Sequence, residues 1–177
     1  MDKKKWKQDL YFSAFTTAWG PVGVTANNAG ITRIVLPDYT LDDLLALLNW
    51  EHPNAKRDDN YFADFISLAR DYFNAKPVDF SSVAIDLPSE ETFYGKVYRA
   101  CRAIEYGNCK SYLQLAKEID RPDSARALAT GLGKNPVPLI VPCHRVIYSS
   151  GKIGGFSASG GINLKRKMLE LEKIKVK

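Results

Sequence analysis

The sequence predicts an α/β fold of the α+β type, with a small antiparallel sheet and helices followed by a mostly helical region. Short β-branched segments separated by turn residues stand near the start of the chain, whereas helical periodicity dominates after residue 88. Pro88-Ser89-Glu90 marks the change, so we expect an N-terminal subdomain over 1–88 and a C-terminal subdomain over 89–177. A chain of 177 residues can bury one core or two small ones that share an interface.

Three segments near the start are typical of an antiparallel meander. Residues 10–16, 22–25 and 31–36 are short, apolar and rich in β-branched side chains. The turn residues Trp19-Gly20-Pro21 and 27–30 separate them. Residues 82–87 are a candidate for a further edge strand.

Two helices are predicted between the meander and residue 88. Thr40 can cap the first, whose leucines follow helical spacing: Leu41, Leu44, Leu45 and Leu48. The second covers about residues 60–75 and has an apolar stripe: Phe62, Phe65, Ile66, Ala69 and Phe73. This part carries no chemical motif, and we expect it to be a scaffold.

The C-terminal subdomain begins with a helix and continues with a helix-turn-helix candidate. The first helix has one apolar face: Phe93, Val97, Cys101 and Ile104. Ser111 and Gln114 form a capping box for the next helix, which residues 120–123 interrupt. Another helix then ends near residues 131–133. Two short helices joined by a tight turn suit DNA binding, although the pattern is also common elsewhere.

The surface of the second helix in this pair is made of small residues between two basic ones. Its members are Arg126, Ala127, Ala129, Thr130, Gly131 and Lys134. Small side chains would let the helix approach a narrow DNA minor groove, and one charged side chain could reach into the duplex. The alternative is a buried helix that packs tightly against another helix.

Composition narrows the partners and the compartment. A net charge of +5 and a pI of about 9.0 favour a polyanion such as nucleic acid. No apolar run approaches the ~20 residues that span a bilayer, so we expect no membrane association. The charged start, residues 1–9, lacks the apolar core of a secretory signal, which favours the cytoplasm, or the nucleus of a eukaryote.

The cysteine and histidine counts exclude two kinds of site. Three cysteines do not make a disulfide framework, although a Cys101–Cys109 bridge remains open. With only His52 and His144 beside them, a four-ligand zinc site would need every sulfur, so we expect no metal.

Residues 135–147 contain the strongest chemical signal. An apolar run leads into Pro142, and Cys143 is followed by His144 and Arg145. Positive neighbours lower the pKa of a thiol and raise the fraction of reactive thiolate, so we expect a depressed pKa at Cys143. The alternative is a buried structural cysteine beside an incidental histidine.

Residues 142–147, preceded by Asn135-Pro136-Val137-Pro138, resemble the active-site signature of the O6-alkylguanine-DNA alkyltransferases. Residues 111–116, 125–128 and 154–156 resemble further motifs of that family, as do Gly160-Gly161, Lys165 and Glu172. The close match covers residues 89–172, and the N-terminal part matches mainly through 17–23. Phe156 stands where a tyrosine is frequent, and the segment 157–159 is longer than in many relatives.

The resemblance implies a role for each matched residue. Cys143 would accept the alkyl group, His144 would act as base through a water, and Glu172 would orient His144. Tyr112 would contact the extruded nucleotide, and Asn135 would fix the turn before the cysteine loop. Residues of the guanine pocket would be Val146, Phe156 and either Ser157 or Ser159. The implied DNA surface consists of Arg126, Tyr112, Ala127, Ala129, Gly131, Lys134 and Ser149.

The function implied by the resemblance is direct reversal of O6-alkylguanine damage, with O4-alkylthymine as a possible second substrate. The lesion must leave the stack to reach a pocketed cysteine. Because the thioether product is a poor leaving group, we expect one turnover per molecule and no cofactor. The partner would be double-stranded DNA, bound by a monomer through the minor groove without sequence preference.

Three other functions remain as alternatives. A non-catalytic alkyltransferase-like protein would bind lesions but would lack the reactive cysteine. A DNA-binding regulator would need neither Cys143 nor Glu172. A thiol hydrolase would turn over repeatedly and would need an oxyanion hole.

Overall fold

The computed structural model describes residues 10–177, and the segment 1–9, with the expectation about its lack of a secretory signal, lies outside the described residues. An antiparallel meander opens the fold, as predicted: β1 (Tyr11–Thr17), β2 (Gly20–Asn27) and β3 (Gly30–Val35). Two-residue turns join the strands, and Gly20 and Gly30 have φ values of 121° and 144° that suit glycine.

The sheet is mixed, which corrects the expectation of a purely antiparallel one. β4 (Lys56–Arg57) pairs in parallel with β1, and the order is β3-β2-β1-β4. The Lys56 amide donates to the Leu10 carbonyl at 2.8 Å, because the free edge of β1 offers backbone groups to a passing segment. At the opposite edge, the expected strand 82–87 is reduced to a single parallel bridge between Ile85 and Ile31.

A helix covers each face of this sheet. α1 (Leu41–Glu51) packs Leu44 and Leu48 against Phe12 and Ala14 of β1. α2 (Ala63–Phe73) lies on the other face, where Phe65 meets Phe15 edge to face with ring centroids 6.1 Å apart. Alternation of the strand side chains thus gives both faces a core.

Four further helices follow in the remaining chain: α3 (Phe93–Arg102), α4 (Tyr112–Glu118), α5 (Ala125–Leu132) and α6 (Gly161–Leu171). The capping box of Ser111 and Gln114 starts α4, and Asp120, at φ 57°, follows its end. A 3-10 turn, Pro122–Ser124, leads into α5, giving the predicted pair of helices. The α+β class expected from the sequence is confirmed.

Two short parallel strands place the start of α4 beside the cysteine loop. β5 (Lys110–Ser111) pairs with β6 (Val146–Ile147), which directly follows the turn Cys143–Arg145. One hydrophobic core extends across residue 88 and includes Val24 and Phe65 as well as Leu128 and Met168. Within residues 10–177, no helix has both the length and the apolar character needed to cross a membrane.

Candidate active site

Asn135 shapes the loop that carries Cys143. Its side-chain nitrogen donates to the Val141 carbonyl at 2.7 Å and to Cys143 Sγ at 3.2 Å. Its oxygen accepts from the Val137 amide at 3.1 Å. One amide therefore ties both ends of a buried apolar segment together and directs a donor at the sulfur.

The pKa of Cys143 is raised, which corrects the expectation of a depressed one. Burial of the thiol has the largest influence, since an ionised sulfur loses its hydration. The hydrogen bond from Asn135 and the charge of Lys165 oppose burial without reversing it. At neutral pH the resting residue is therefore a thiol, and its proton needs an acceptor before the sulfur can attack.

Arg145 does not lie against the sulfur as its sequence position suggested. Its guanidinium donates to both carboxylate oxygens of Glu172, at 2.8 and 3.1 Å, and to the Ile104 carbonyl at 2.6 Å. The turn Cys143–Arg145 is a single 3-10 turn, so the side chain of Arg145 can reach this inner cluster. Its charge therefore stabilises Glu172.

His144 and Glu172 form a buried pair. His144 Nε2 lies 2.7 Å from Glu172 Oε1, and the two residues are 0% and 2% exposed. Burial opposes ionisation of Glu172, but the hydrogen bonds from His144 and Arg145 and the positive charge of Arg145 outweigh it and hold the pKa of Glu172 at about 2. Burial also lowers the pKa of His144, which keeps the imidazole neutral at pH 7.

The neutral imidazole leaves one nitrogen free to accept a proton. An ionised carboxylate only accepts hydrogen bonds, so Nε2 carries the hydrogen and Nδ1 carries the lone pair. Nδ1 is buried and has no hydrogen-bond partner among residues 10–177. In the tautomer that Glu172 selects, His144 can therefore accept a proton at Nδ1.

Two cavities meet at Cys143. One, of about 420 Å³, lies under α5 and is lined by Tyr112, Arg126, Ala129, Thr130, Phe156 and Ser157, among others. The other, of about 460 Å³, reaches the N-terminal sheet and is lined by Tyr39, Lys134, Asn135, Pro138 and Ser159, among others. Ser157 borders both cavities, whereas Ser159 borders only the second and pairs with the Tyr39 hydroxyl at 2.8 Å.

Most of the predicted DNA-surface residues are exposed, but Gly131 is not. Arg126, Ala127, Lys134 and Ser149 are exposed, and Ala129 is half-buried. Gly131 is buried against α3, where an added Cβ would lie 2.8 Å from the Tyr94 ring. The prediction that Gly131 belongs to the exposed surface is therefore wrong, because its position on α5 turns it towards α3.

Tyr112 and Val146 lie beside the cysteine loop. Tyr112 is mostly buried, and burial raises the pKa of its phenol to about 12, so the hydroxyl stays a donor. The Val146 carbonyl accepts from Lys165 Nζ at 2.7 Å. The two remaining cysteines are free thiols, Cys101 buried and Cys109 exposed, so the bridge left open by the sequence is not formed.

Sequence reasoning assigned no role to two residues of the site, although Lys165 stood in the matched C-terminal motif. Lys165 is fully buried under the cysteine loop, and burial lowers its pKa to about 8. Tyr72 of α2 donates to Glu172 Oε1 at 2.8 Å. A lysine on the apolar side of the last helix was a signal available for the first, but nothing in the sequence distinguishes Tyr72 from its aromatic neighbours.

The fold and the site define a class: an α+β protein in which a buried thiol, an imidazole and a carboxylate lie beneath a pair of short helices. Residues 92–174 match the family model described as 6-O-methylguanine DNA methyltransferase, DNA binding domain. The methylated-DNA–protein-cysteine methyltransferase of Sulfolobus acidocaldarius is 34% identical over 94% of this chain and 96% of its own length. The chain belongs to the methylated-DNA–protein-cysteine methyltransferase family.

Solved structures agree with this assignment. The crystal structure of Mycobacterium tuberculosis O6-methylguanine methyltransferase has a TM-score of 0.76 and 32% identity to this chain, and the match covers 93% of both chains. A structure of the Mycobacterium tuberculosis protein in complex with DNA also has a TM-score of 0.76, with 32% identity and 92% of both chains covered.

Proposed function

We propose that this protein repairs O6-alkylguanine in DNA by moving the alkyl group irreversibly onto Cys143. One observation carries the proposal: Cys143 lines the same cavity as Tyr112 and Arg126, at the start of α4 and α5. A base that leaves the duplex at α5 would therefore enter the space that ends at the sulfur. Membership of the methyltransferase family supports the same chemistry.

The reaction follows from the state of the site. The Cys143 proton passes through a bridging water to Nδ1 of His144, which has no hydrogen-bond partner among residues 10–177, and the sulfur attacks the alkyl carbon. The S–C bond forms as the bond from carbon to O6 breaks, and the electron pair stays on guanine, which takes up a proton. Tyr112, as a neutral phenol, is our candidate donor to the departing base.

The product explains why each molecule acts once. A thioether does not expel its sulfur readily, so the S–C bond formed at Cys143 persists. Added atoms in a packed site also destabilise the fold, by about 1–3 kcal/mol. No cofactor enters the proposed step.

We place the DNA on the exposed side of α5. Arg126 would fill the gap left by the extruded nucleotide, and Ala127 and Ala129 would allow close approach to the minor groove. Lys134 and Ser149 would contact phosphates, which makes binding salt-dependent and independent of sequence. The bound protein would be a monomer, with residues 1–88 as a scaffold and 89–177 as the reacting subdomain, located in the cytosol or, in a eukaryote, the nucleus.

The test is a mass spectrum of the protein after mixing with a duplex containing O6-methylguanine, with Cys143→Ala as the control. We expect a gain of one methyl group that maps to Cys143 and is absent from the variant. Lesion-selective binding without a mass gain would support a non-catalytic alkyltransferase-like protein instead. The absence of both a mass gain and a preference for the lesion would overturn the proposed repair function.

A further inference from the structure

Tyr72 brings a polar group from the N-terminal half of the chain into the catalytic cluster. It lies near the end of α2 and is 0% exposed. Its hydroxyl donates to Glu172 Oε1 at 2.8 Å and lies 3.3 Å from His144 Nε2. A single phenol oxygen therefore touches both the carboxylate and the imidazole.

The hydroxyl shares its acceptor atom with the catalytic histidine. Glu172 Oε1 accepts from Tyr72, from His144 Nε2 and from Arg145, while Oε2 accepts from Arg145 and from the Gly107 amide at 3.1 Å. Five donors on one carboxylate fix its plane and its rotation. Without Tyr72, Oε1 would lose one of the two donors, besides Nε2 itself, that hold it opposite Nε2.

The hydroxyl can be separated from the packing of the ring. Tyr72 meets Phe73 and Phe80 with centroids 5.2 and 6.3 Å away, contacts that a phenylalanine would keep. Tyr106 is a comparable residue in the same cluster, because its ring meets Tyr72 edge to face and lies under the Arg145 guanidinium. However, the Tyr106 hydroxyl donates to the Leu171 carbonyl, at 3.2 Å, and not to the carboxylate.

We infer that Tyr72 is a positioning residue for alkyl transfer: its hydroxyl holds Glu172 so that His144 keeps its hydrogen on Nε2 and offers Nδ1 to the Cys143 proton. The inference rests on the proposed function for its kinetic consequence. It also makes the N-terminal scaffold a contributor to the chemistry, since α2 supplies one of the donors.

The first test compares Tyr72→Phe with Tyr106→Phe in the full-length protein. We expect Tyr72→Phe to slow single-turnover methyl transfer about tenfold, the effect of losing one hydrogen bond to a charged group, with unchanged affinity for the DNA. Tyr106→Phe should stay within about twofold of the wild type. A wild-type rate in Tyr72→Phe would overturn the inference.

The second test measures the tautomer of His144 directly. Nitrogen-15 NMR of the imidazoles distinguishes the two tautomers, and the chain has only two histidines, so His52 serves as the internal reference. The wild type should show His144 with hydrogen on Nε2 alone, and Tyr72→Phe should show a mixture. An unchanged His144 spectrum, with rate loss that follows a lower melting temperature, would reduce Tyr72 to a packing residue.

A double-mutant cycle completes the test. In Glu172→Gln the charged acceptor is gone, so adding Tyr72→Phe should slow transfer less than twofold further. Fully multiplicative effects would contradict the positioning role. If the wild type transfers no methyl group, the proposed function fails, whereas the NMR comparison still decides whether Tyr72 sets the state of His144.

Discussion

The buried polar cluster (Tyr72, His144, Arg145 and Glu172) and the exposed face of α5 (Arg126, Ala127 and Lys134) meet opposite physical demands. Every member of the cluster contacts another, and all four residues are buried. Arg126, Ala127 and Lys134, which follows the end of α5, are exposed. Within residues 10–177 the side chains of Arg126 and Lys134 make no hydrogen bond or ion pair, and Lys134 Nζ lies 5.9 Å from the centre of the Tyr94 ring. In the proposed function, the chemistry would depend on interlocked groups, whereas DNA binding would depend on groups that act separately.

This difference predicts how each region responds to substitution. Removing one member of the cluster leaves another charge buried without its partner, so stability and rate should fall together. Removing one residue from the face of α5 leaves nothing unsatisfied, so only the interaction with DNA should change.

Glu172→Gln should have the largest effect. It leaves the Arg145 guanidinium buried without its counter-charge, and we expect a loss of about 3–5 kcal/mol in the free energy of unfolding. The rate of methyl transfer should fall about a hundredfold, because the base loses its orienting group. Denaturant unfolding and single-turnover kinetics measure the two effects, with exposed Glu170→Gln as the matched control. A stable, fast Glu172→Gln would contradict the interlocked cluster.

Arg126→Ala should separate binding from stability. Without a side chain to fill the gap in the duplex, extrusion of the base becomes less favourable, and we expect about a tenfold slower transfer from double-stranded DNA. Transfer from single-stranded DNA should change less, and the melting temperature should stay the same. Exposed Arg121→Ala is the control. Equal losses on both substrates would place Arg126 outside the extrusion step.

Lys134→Ala should give a smaller and salt-dependent effect. A lysine that contacts one phosphate contributes about one unit to the slope of log affinity against log salt. Titrations of fluorescent duplex DNA at several salt concentrations should therefore show a slope reduced by about one, without loss of transfer at saturation. Lys175→Ala, at an exposed lysine outside the proposed DNA surface, should keep the wild-type slope. No difference between the two variants would remove Lys134 from the DNA surface.

The pH profile should be nearly flat around neutrality. Burial puts the pKa of His144 below its ordinary value of 6.5, so the base is neutral above that lowered pKa and is lost only as the pH falls through it. The transfer rate should vary less than about twofold between roughly pH 6.5 and 7.5. A rate that rises about tenfold per pH unit in this range would mean that free thiolate, and not the pair with His144, is the reacting species.

The contrast between the regions also explains what the sequence could predict. Period-2 and helical patterns located the meander, α1 and the pair α4 and α5, because each of these buries one face. β4 was missed because two charged residues, Lys56 and Arg57, pair through their backbone alone. Gly131 was assigned to the wrong side because a residue without a side chain leaves no trace in the pattern.

The part of the site that could be predicted consists of residues that lie close together in the sequence. Cys143, His144 and Asn135 belong to one continuous motif, so the resemblance located them together. The raised pKa of Cys143, the turn of Arg145 towards Glu172 and the reach of Tyr72 all depend on tertiary packing. These features become visible only when residues far apart in the chain are placed side by side.

The central claim is that Cys143 accepts one alkyl group, after which that protein molecule repairs no further lesion. The most direct measurement titrates a fixed amount of protein with increasing O6-methylguanine duplex and counts both repaired lesions and methylated Cys143. The account predicts that the two counts rise together and reach a plateau at one per protein molecule. Repaired lesions that keep accumulating beyond the amount of protein, or repair without a methyl group on Cys143, would contradict it.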